Sequence, residues 1–205
     1  MLGTVLLALW SANKGTKGMI EALNITYDEV KERSFLRQNA LSLALTLGAI
    51  LSVVVMLGLL VVLPLAFDVL GLGGVARSAA QILRWPVLAL WILGGLAVLY
   101  RFAPARKSPK WRWVTPGSAL ATLLVLTASA VFSLYASRFG SLNRTYGVLG
   151  AVAILLIWLF LAAYSVLLGG ELNAEAERQT KKDSTTGSPQ PMGGRGAYAA
   201  DTVGE

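Results

Sequence analysis

Neither cysteine nor histidine occurs anywhere in the 205 residues. Without cysteine there is no disulfide, no thiolate metal site and no cysteine nucleophile. Without histidine there is no imidazole base and no histidine metal ligand. Carboxylates, lysine, tyrosine and hydroxyls are all that remain for chemistry. Charge is scarce as well, at 14 % of residues against roughly 25 % in ordinary globular proteins. Hydrophobic residues reach 55 %, a balance that argues against a soluble domain. The net charge of +7 on such a chain points to loops lying against an anionic membrane face ahead of nucleic acid.

The uncharged stretches mark where a membrane would be crossed. Residues 38–67, 85–100, 113–137 and 145–170 carry no charge. A hydrocarbon core about 30 Å thick needs roughly 20 helical residues at about 1.5 Å each. The second stretch falls short of that length, but Arg84 and Arg101 at its ends can snorkel and extend it. The spacing predicts helices over Ala40–Leu63, Trp85–Phe102, Pro116–Tyr135 and Gly147–Gly169. Pro64 is expected to help the first to end, and Pro86 and Pro116 to sit near the starts of the next two. Trp85, Tyr100, Phe102, Trp111, Trp113, Tyr135 and Tyr146 gather at the span edges as an interfacial belt.

Lysine and arginine divide unevenly between the segments on alternate sides, 14 against 4. The richer side is expected to be cytoplasmic, which places both ends of the chain there. Residues 1–37 read as the end of a transmembrane helix followed by a cytoplasmic amphipathic helix. In that helix Met19, Ile20, Leu23, Tyr27 and Val30 recur at helical spacing. Residues 38–170 form the four-span region. Residues 171–205 are a cytoplasmic tail, expected to be disordered from about Asp183, where Gly, Ser, Thr and Pro dominate. The expected fold is all-α, a polytopic transmembrane helix bundle with four full spans plus a partial N-terminal one.

Several groups of residues are candidates for function. Thr115, Ser118, Thr122, Ser129, Ser133 and Ser137 share one face of the third span. Such a stripe lines a pathway for water or a polar solute, or else it forms a packing seam where helices approach closely. Gly147, Ala151, Ala162, Ser165 and Gly169 share a face of the fourth span with Trp158 and read as a close-packing surface. The loop Gly140–Gly147 offers Asn143, Arg144 and Tyr146 to an anion or a headgroup, or is simply a tight turn with an interfacial tyrosine. Between Arg101 and Trp113 five cations alternate with Phe102, Trp111 and Trp113. That pattern suits single-stranded nucleic acid and also a positive-inside loop, and the second reading is adopted. Glu171 and Glu175 lie one helical turn apart. Two carboxylates could hold Mg²⁺, but metal-dependent nucleases usually gather more around two metals. An ion pair with a neighbouring Arg or Lys is the role expected of Glu171. The candidate functional residues are thus Arg101, Asn143, Tyr146, Glu171, Ser129 and Ser133, with no catalytic residue, metal or cofactor expected. The partners expected are anionic lipid headgroups and other membrane helices, including further copies of the chain, with no nucleic acid.

Four separated motifs, Trp10–Tyr27, Leu99–Gly117, Phe139–Ala151 and Gly169–Glu175, occur in an order and at a spacing that resemble the YihY and virulence factor BrkB family of bacterial inner-membrane proteins. The resemblance covers about Trp10 to Arg178. It implies a polytopic helical protein of six spans in longer members, with this chain expected to begin inside what resembles the second. It further implies a role in transport or at the envelope, where resistance to killing by serum is the associated property. The family was once described as a tRNA-processing ribonuclease, a view since regarded as mistaken, and the resemblance carries over no catalytic residues.

Overall fold

A computed structural model describes residues 2–30, 33–69, 74–138 and 142–203; within these, the side chains of residues 2, 59, 63–69, 75–77, 79–80, 136, 138 and 142–148 lie outside the description. In chain order the helices are α1 (Leu2–Thr26), α2 (Phe35–Val69), α3 (Val75–Phe102), α4 (Trp111–Arg138), α5 (Leu142–Arg178) and the single turn α6 (Tyr198–Asp201). The described residues are all-helical in their regular structure, with four segments among them long and apolar enough to cross a membrane: Phe35–Val62, Gln81–Phe102, Trp111–Tyr135 and Leu149–Arg178. The marginal second stretch reaches 22 residues because its helix takes in Arg84, whose guanidinium lies 5.2 Å from the centre of the Trp85 ring.

Three details depart from the expected boundaries; for the prolines of α2 and α3, a helix in lipid has no better option for its backbone than to continue. α2 runs past Pro64 to Val69, so that proline does not end it. Pro86 and Pro116 lie inside α3 and α4 instead of near their first turns. α1 is one continuous helix through the stretch read as two pieces. It ends at Thr26, where Asp28 takes the left-handed conformation (φ 52°). Two closing bonds run there, from Glu29 N to Asn24 O at 2.9 Å and from Asp28 N to Ile25 O at 3.0 Å, the pairing of a Schellman cap. Of the amphipathic face, Ile20, Leu23 and Tyr27 are buried. Val30 lies beyond the cap and is exposed, so it does not share that face.

The chain divides into two units. The first comprises residues 1–21 and 32–95. Here α1 and α2 are joined by Lys17 Nζ donating to Asn39 Oδ1 at 2.5 Å, and by the Thr46 hydroxyl 2.8 Å from that of Thr16. The Trp91 indole donates to Ser52 Oγ at 2.6 Å, joining α3 to α2.

The second unit, residues 22–31 and 96–205, holds α4, α5, the end of α1, the loop 103–110 and the tail. α4 and α5 approach until their backbones touch. A Cβ placed on Gly169 would lie 2.5 Å from both Gly117 O and the Tyr100 hydroxyl, so neither Gly117 nor Gly169 has room for a side chain. The end of α1 packs on the next residue, with Leu23 and Thr26 against Gly170. Pro116 costs α4 a backbone donor, and beside it α5 is tied to the α4 backbone: Asn173 Oδ1 accepts from Gly117 N at 2.7 Å, and its Nδ2 donates to Val114 O at 3.3 Å.

The tail corrects the expectation of disorder from about Asp183. Residues 179–203 are held chiefly by hydrogen bonding, with the small side chains of Ala197, Ala199 and Ala200 as their buried apolar part. The Asp201 carboxylate accepts from the backbone N–H of Gly193, Arg195 and Gly196 at 2.8–3.0 Å. Arg195 donates to the carbonyls of Ala200, Lys181 and Gln190 at 2.7, 2.7 and 3.2 Å. The composition argument remains sound for the tail in isolation. The tail folds because it is not isolated: Lys110 N donates to Ser184 O (2.8 Å), Thr186 N to Ser108 O (3.0 Å) and Lys107 N to Gly196 O (3.0 Å).

Candidate functional site

The polar centre of the second unit sits where the loop, the tail and the ends of α1 and α5 converge. Arg106 makes a two-pronged pair with Glu177, Nη1 to Oε2 at 3.0 Å and Nη2 to Oε1 at 2.8 Å, and both side chains are wholly buried. Ser184 from the tail donates to Glu177 Oε2 at 2.8 Å. The Arg106 guanidinium lies 4.2 Å from the centre of the Tyr27 ring, a cation–π contact strengthened by the exclusion of water. Burial pushes the Tyr27 phenol up to about 12, even with the positive charge of Arg106 alongside. The Tyr100 hydroxyl donates to Val166 O at 2.6 Å, and Asn24 Oδ1 accepts from Ala105 N at 2.7 Å. Asn24 is therefore a structural link between α1 and the loop.

Around this centre several further acids of the unit are engaged. Arg178 pairs with Asp28 and, at 2.7 Å, with Glu175, while Glu29 accepts from Tyr198 N at 2.8 Å. Burial alone would raise the Asp183 carboxyl. Donation from Gln190 N, Thr185 N and the Thr185 hydroxyl, with Arg195 nearby, outweighs it and holds the group down at about 2. Among the described residues no three acidic side chains gather as a metal-binding group. Chemically this centre is used for packing: its charges hold four chain segments together, and the buried Arg106–Glu177 pair spends both carboxylate oxygens and both terminal guanidinium nitrogens on each other, leaving Arg106 Nε buried without an acceptor among the described residues.

The expected site residues fall in different places. Arg101 donates to Pro109 O at 2.6 Å and lies 4.4 Å from the Trp111 ring centre. Ser129 is half-buried and accepts from the Trp158 indole at 3.2 Å, joining the two faces singled out on α4 and α5. Ser133 is exposed. Glu171 is exposed, and among the described residues no cation pairs with it. The ion-pair role expected of it belongs to Glu177 and Glu175. One helical turn shared by Glu171 and Glu175 did not bring them into one site, because Glu175 turns to Arg178. Asn143 and Tyr146 have side chains outside the described residues, as has Arg144.

Sequence reasoning missed Arg106, Asn173 and Glu177. Their signal was present: Asn173 and Glu177 continue the small-residue face of Gly169 at steps of four, so two polar residues on a close-packing face had to meet partners.

A family model described as virulence factor BrkB matches residues 1–192. The chain belongs to the BrkB family. This BrkB-family chain is 34 % identical over 181 residues to the ribonuclease-like protein YfkH of Bacillus subtilis, a match covering 86 % of the chain and 66 % of that relative. It is 38 % identical over 82 residues to a UPF0761 membrane protein of Tolumonas auensis, covering 40 % and 27 %. A UPF0761 membrane protein of Xanthomonas campestris is 34 % identical over 96 residues, covering 43 % and 22 %. The chain thus spans just under two thirds of the Bacillus relative and about a quarter of the other two. No solved structure matches it. It is a membrane protein of the BrkB and UPF0761 family, a family named for membrane residence and virulence and not for an established enzyme.

Proposed function

We propose that this BrkB-family chain serves in the bacterial inner membrane as a packed helical scaffold with an envelope-associated role, both of its ends cytoplasmic. The observation that carries the reading is the α4–α5 seam. Gly117 and Gly169 in backbone contact, Asn173 bridging and Ser129 joined to Trp158 describe a surface spent on helix association. Two further features support the orientation. Positive charge favours the side of the loop 103–110 by 14 to 4. The loop, the end of α1 and the tail also bond to one another, as segments on one side of a membrane can.

Transport is the second reading, favoured by the exposure of Ser133 and Ser137, which leaves that end of the stripe free to face a polar path. Cysteines placed singly at Ser129 and Ser133 in this cysteine-free chain separate the two. The scaffold reading expects no reaction at either position with a membrane-impermeant, water-soluble thiol reagent; reaction at both overturns it in favour of a pathway. The ribonuclease-like name of the Bacillus relative supplies a third outcome. Ribonuclease activity that survives stringent purification and disappears in Glu171→Gln with Glu175→Gln, at unchanged expression, would restore the nuclease reading. Ser108→Cys is expected to resist labelling from outside intact cells, and labelling there reverses the orientation.

A further inference from the structure

The cations at the loop-side ends of α3 and α4 are not all consumed by packing. Arg106 is sealed against Glu177, and Lys110 Nζ is turned to Asp183 O at 3.0 Å. Arg101 and Arg112 have no carboxylate partner among the described residues. Arg101 is nevertheless fixed. One nitrogen is held by Pro109 O, the guanidinium lies 4.4 Å from the Trp111 ring centre and 5.6 Å from that of Phe102, and Nε is buried without a protein acceptor. Arg112 lies 5.4 Å from the Trp113 ring centre. The rings beside Arg101 remain open, Trp111 51 % and Phe102 41 % exposed. Phe102 ends one span-capable helix and Trp111 begins the next.

This depth and chemistry define the ligand. Indole and phenyl rings at a span edge lie at the boundary between acyl chains and headgroups. A guanidinium held on such a ring has lost its rotamer freedom before any ligand arrives, so each bond it makes costs less ordering, and its planar fork suits phosphate oxygens. We infer that Arg101, with Trp111 and Arg112, forms a binding site for the headgroup of an anionic phospholipid. The phosphate accepts from Arg101, Arg112 supplies the second positive charge, and the exposed rings cover the upper acyl chain, which a soluble anion does not have.

The test uses the full chain in a nonionic detergent, with phosphatidylglycerol and phosphatidylcholine as probes and native mass spectrometry reading the fraction of protein that retains lipid. The native chain should prefer phosphatidylglycerol by about tenfold, the size of one charge-assisted hydrogen-bonded contact. Arg101→Gln and Trp111→Leu should each lose most of that preference, while Lys182→Gln on the exposed tail keeps it. A preference intact in Arg101→Gln, or reduced as much by Lys182→Gln, overturns the site, because the attraction is then diffuse. Displacement of phosphatidylglycerol by millimolar inorganic phosphate overturns the lipid assignment in favour of a soluble anion. Should Arg101→Gln fail to fold, Trp111→Leu decides, since it leaves the bond to Pro109 in place. Equal retention of both lipids by the native chain overturns the inference whatever the variants do.

Discussion

The two ends of the hydroxyl stripe on α4 carry similar small hydroxyl residues and have different surroundings. Ser118 and Thr122 are buried, and each donates back to its own helix, to Val114 O at 2.6 Å and Ser118 O at 2.7 Å. Ser133 and Ser137 are exposed, and Ser137 bonds back to Leu134 O at 2.9 Å. Only Ser129, between them, meets another helix through its hydroxyl, as the acceptor of the Trp158 indole. The hydroxyls therefore do not make the seam. In the buried half the contact is made by the absence of side chains at Gly117 and Gly169 and by the amide of Asn173, and the hydroxyls fit because they are small and can satisfy themselves locally. A stripe tells which face is small; the partner's residues decide whether that face is covered.

The sharpest way to break this comparison is at the foot of the covered half. Glu177→Ala leaves Arg106 charged and buried without its partner, and should cost about 3–5 kcal/mol. The thermal midpoint in detergent, read by tryptophan fluorescence, should fall accordingly, and the tail should become open to protease because Ser184 loses its acceptor. Replacing the pair together, Arg106→Met with Glu177→Leu, should recover much of the loss. A loss in the double variant equal to that in Glu177→Ala would show that the pair, not the buried orphan charge, carries the stability.

Next in size is Gly117→Ala. One methyl group has no room against α5, and overpacking of this kind costs about 1–3 kcal/mol. The same substitution at Gly58, which has open space around it, should change stability far less. Equal effects would mean that helix propensity, not the seam, sets the outcome.

The tail and the end of α1 respond to opposite extremes of pH. Asp183 has a folded value of about 2, below its ordinary 3.8. Its contribution is present above pH 4 and is lost as pH falls from there toward 2, which hydrogen exchange of Thr185 N and Gln190 N should register. Tyr27, raised from 10 to about 12, works in the other direction. Its contribution is complete below pH 10 and disappears as pH rises through 12, visible as alkaline loss of the thermal midpoint that Tyr27→Phe removes.

The smallest effects sharpen the comparison within the stripe. Ser118→Ala should cost less than about 0.6 kcal/mol, the mean for a polar contact between membrane helices, because its hydroxyl bonds within α4, and Ser133→Leu should stay within about 0.5 kcal/mol, as exposed substitutions do. Ser118→Leu, by contrast, should prevent the close approach and abolish monodisperse protein on size exclusion. Similar behaviour of leucine at 118 and 133 would place a helix over the exposed half too.

Much of this architecture was already fixed by local chemistry. Run length against bilayer thickness determined the four spans, because an uncharged stretch near 20 residues leaves the backbone no alternative to a helix. The buried face of Ile20, Leu23 and Tyr27 and the small face around Gly169 followed from a period of 3.6. Tertiary structure decided what periodicity cannot encode, namely which faces meet. It chose Glu177 over Glu171 for the buried pair, because Glu177 shares the phase of Gly169 and Asn173 and so faces the loop that brings Arg106. It ordered a tail whose composition gives no core, since Asp183, Arg195 and Asp201 find their backbone partners only once the loop 103–110 holds the chain beside them. Apolar burial is written residue by residue and can be read locally, whereas a polar contact depends on two segments distant in sequence arriving within 3 Å of each other.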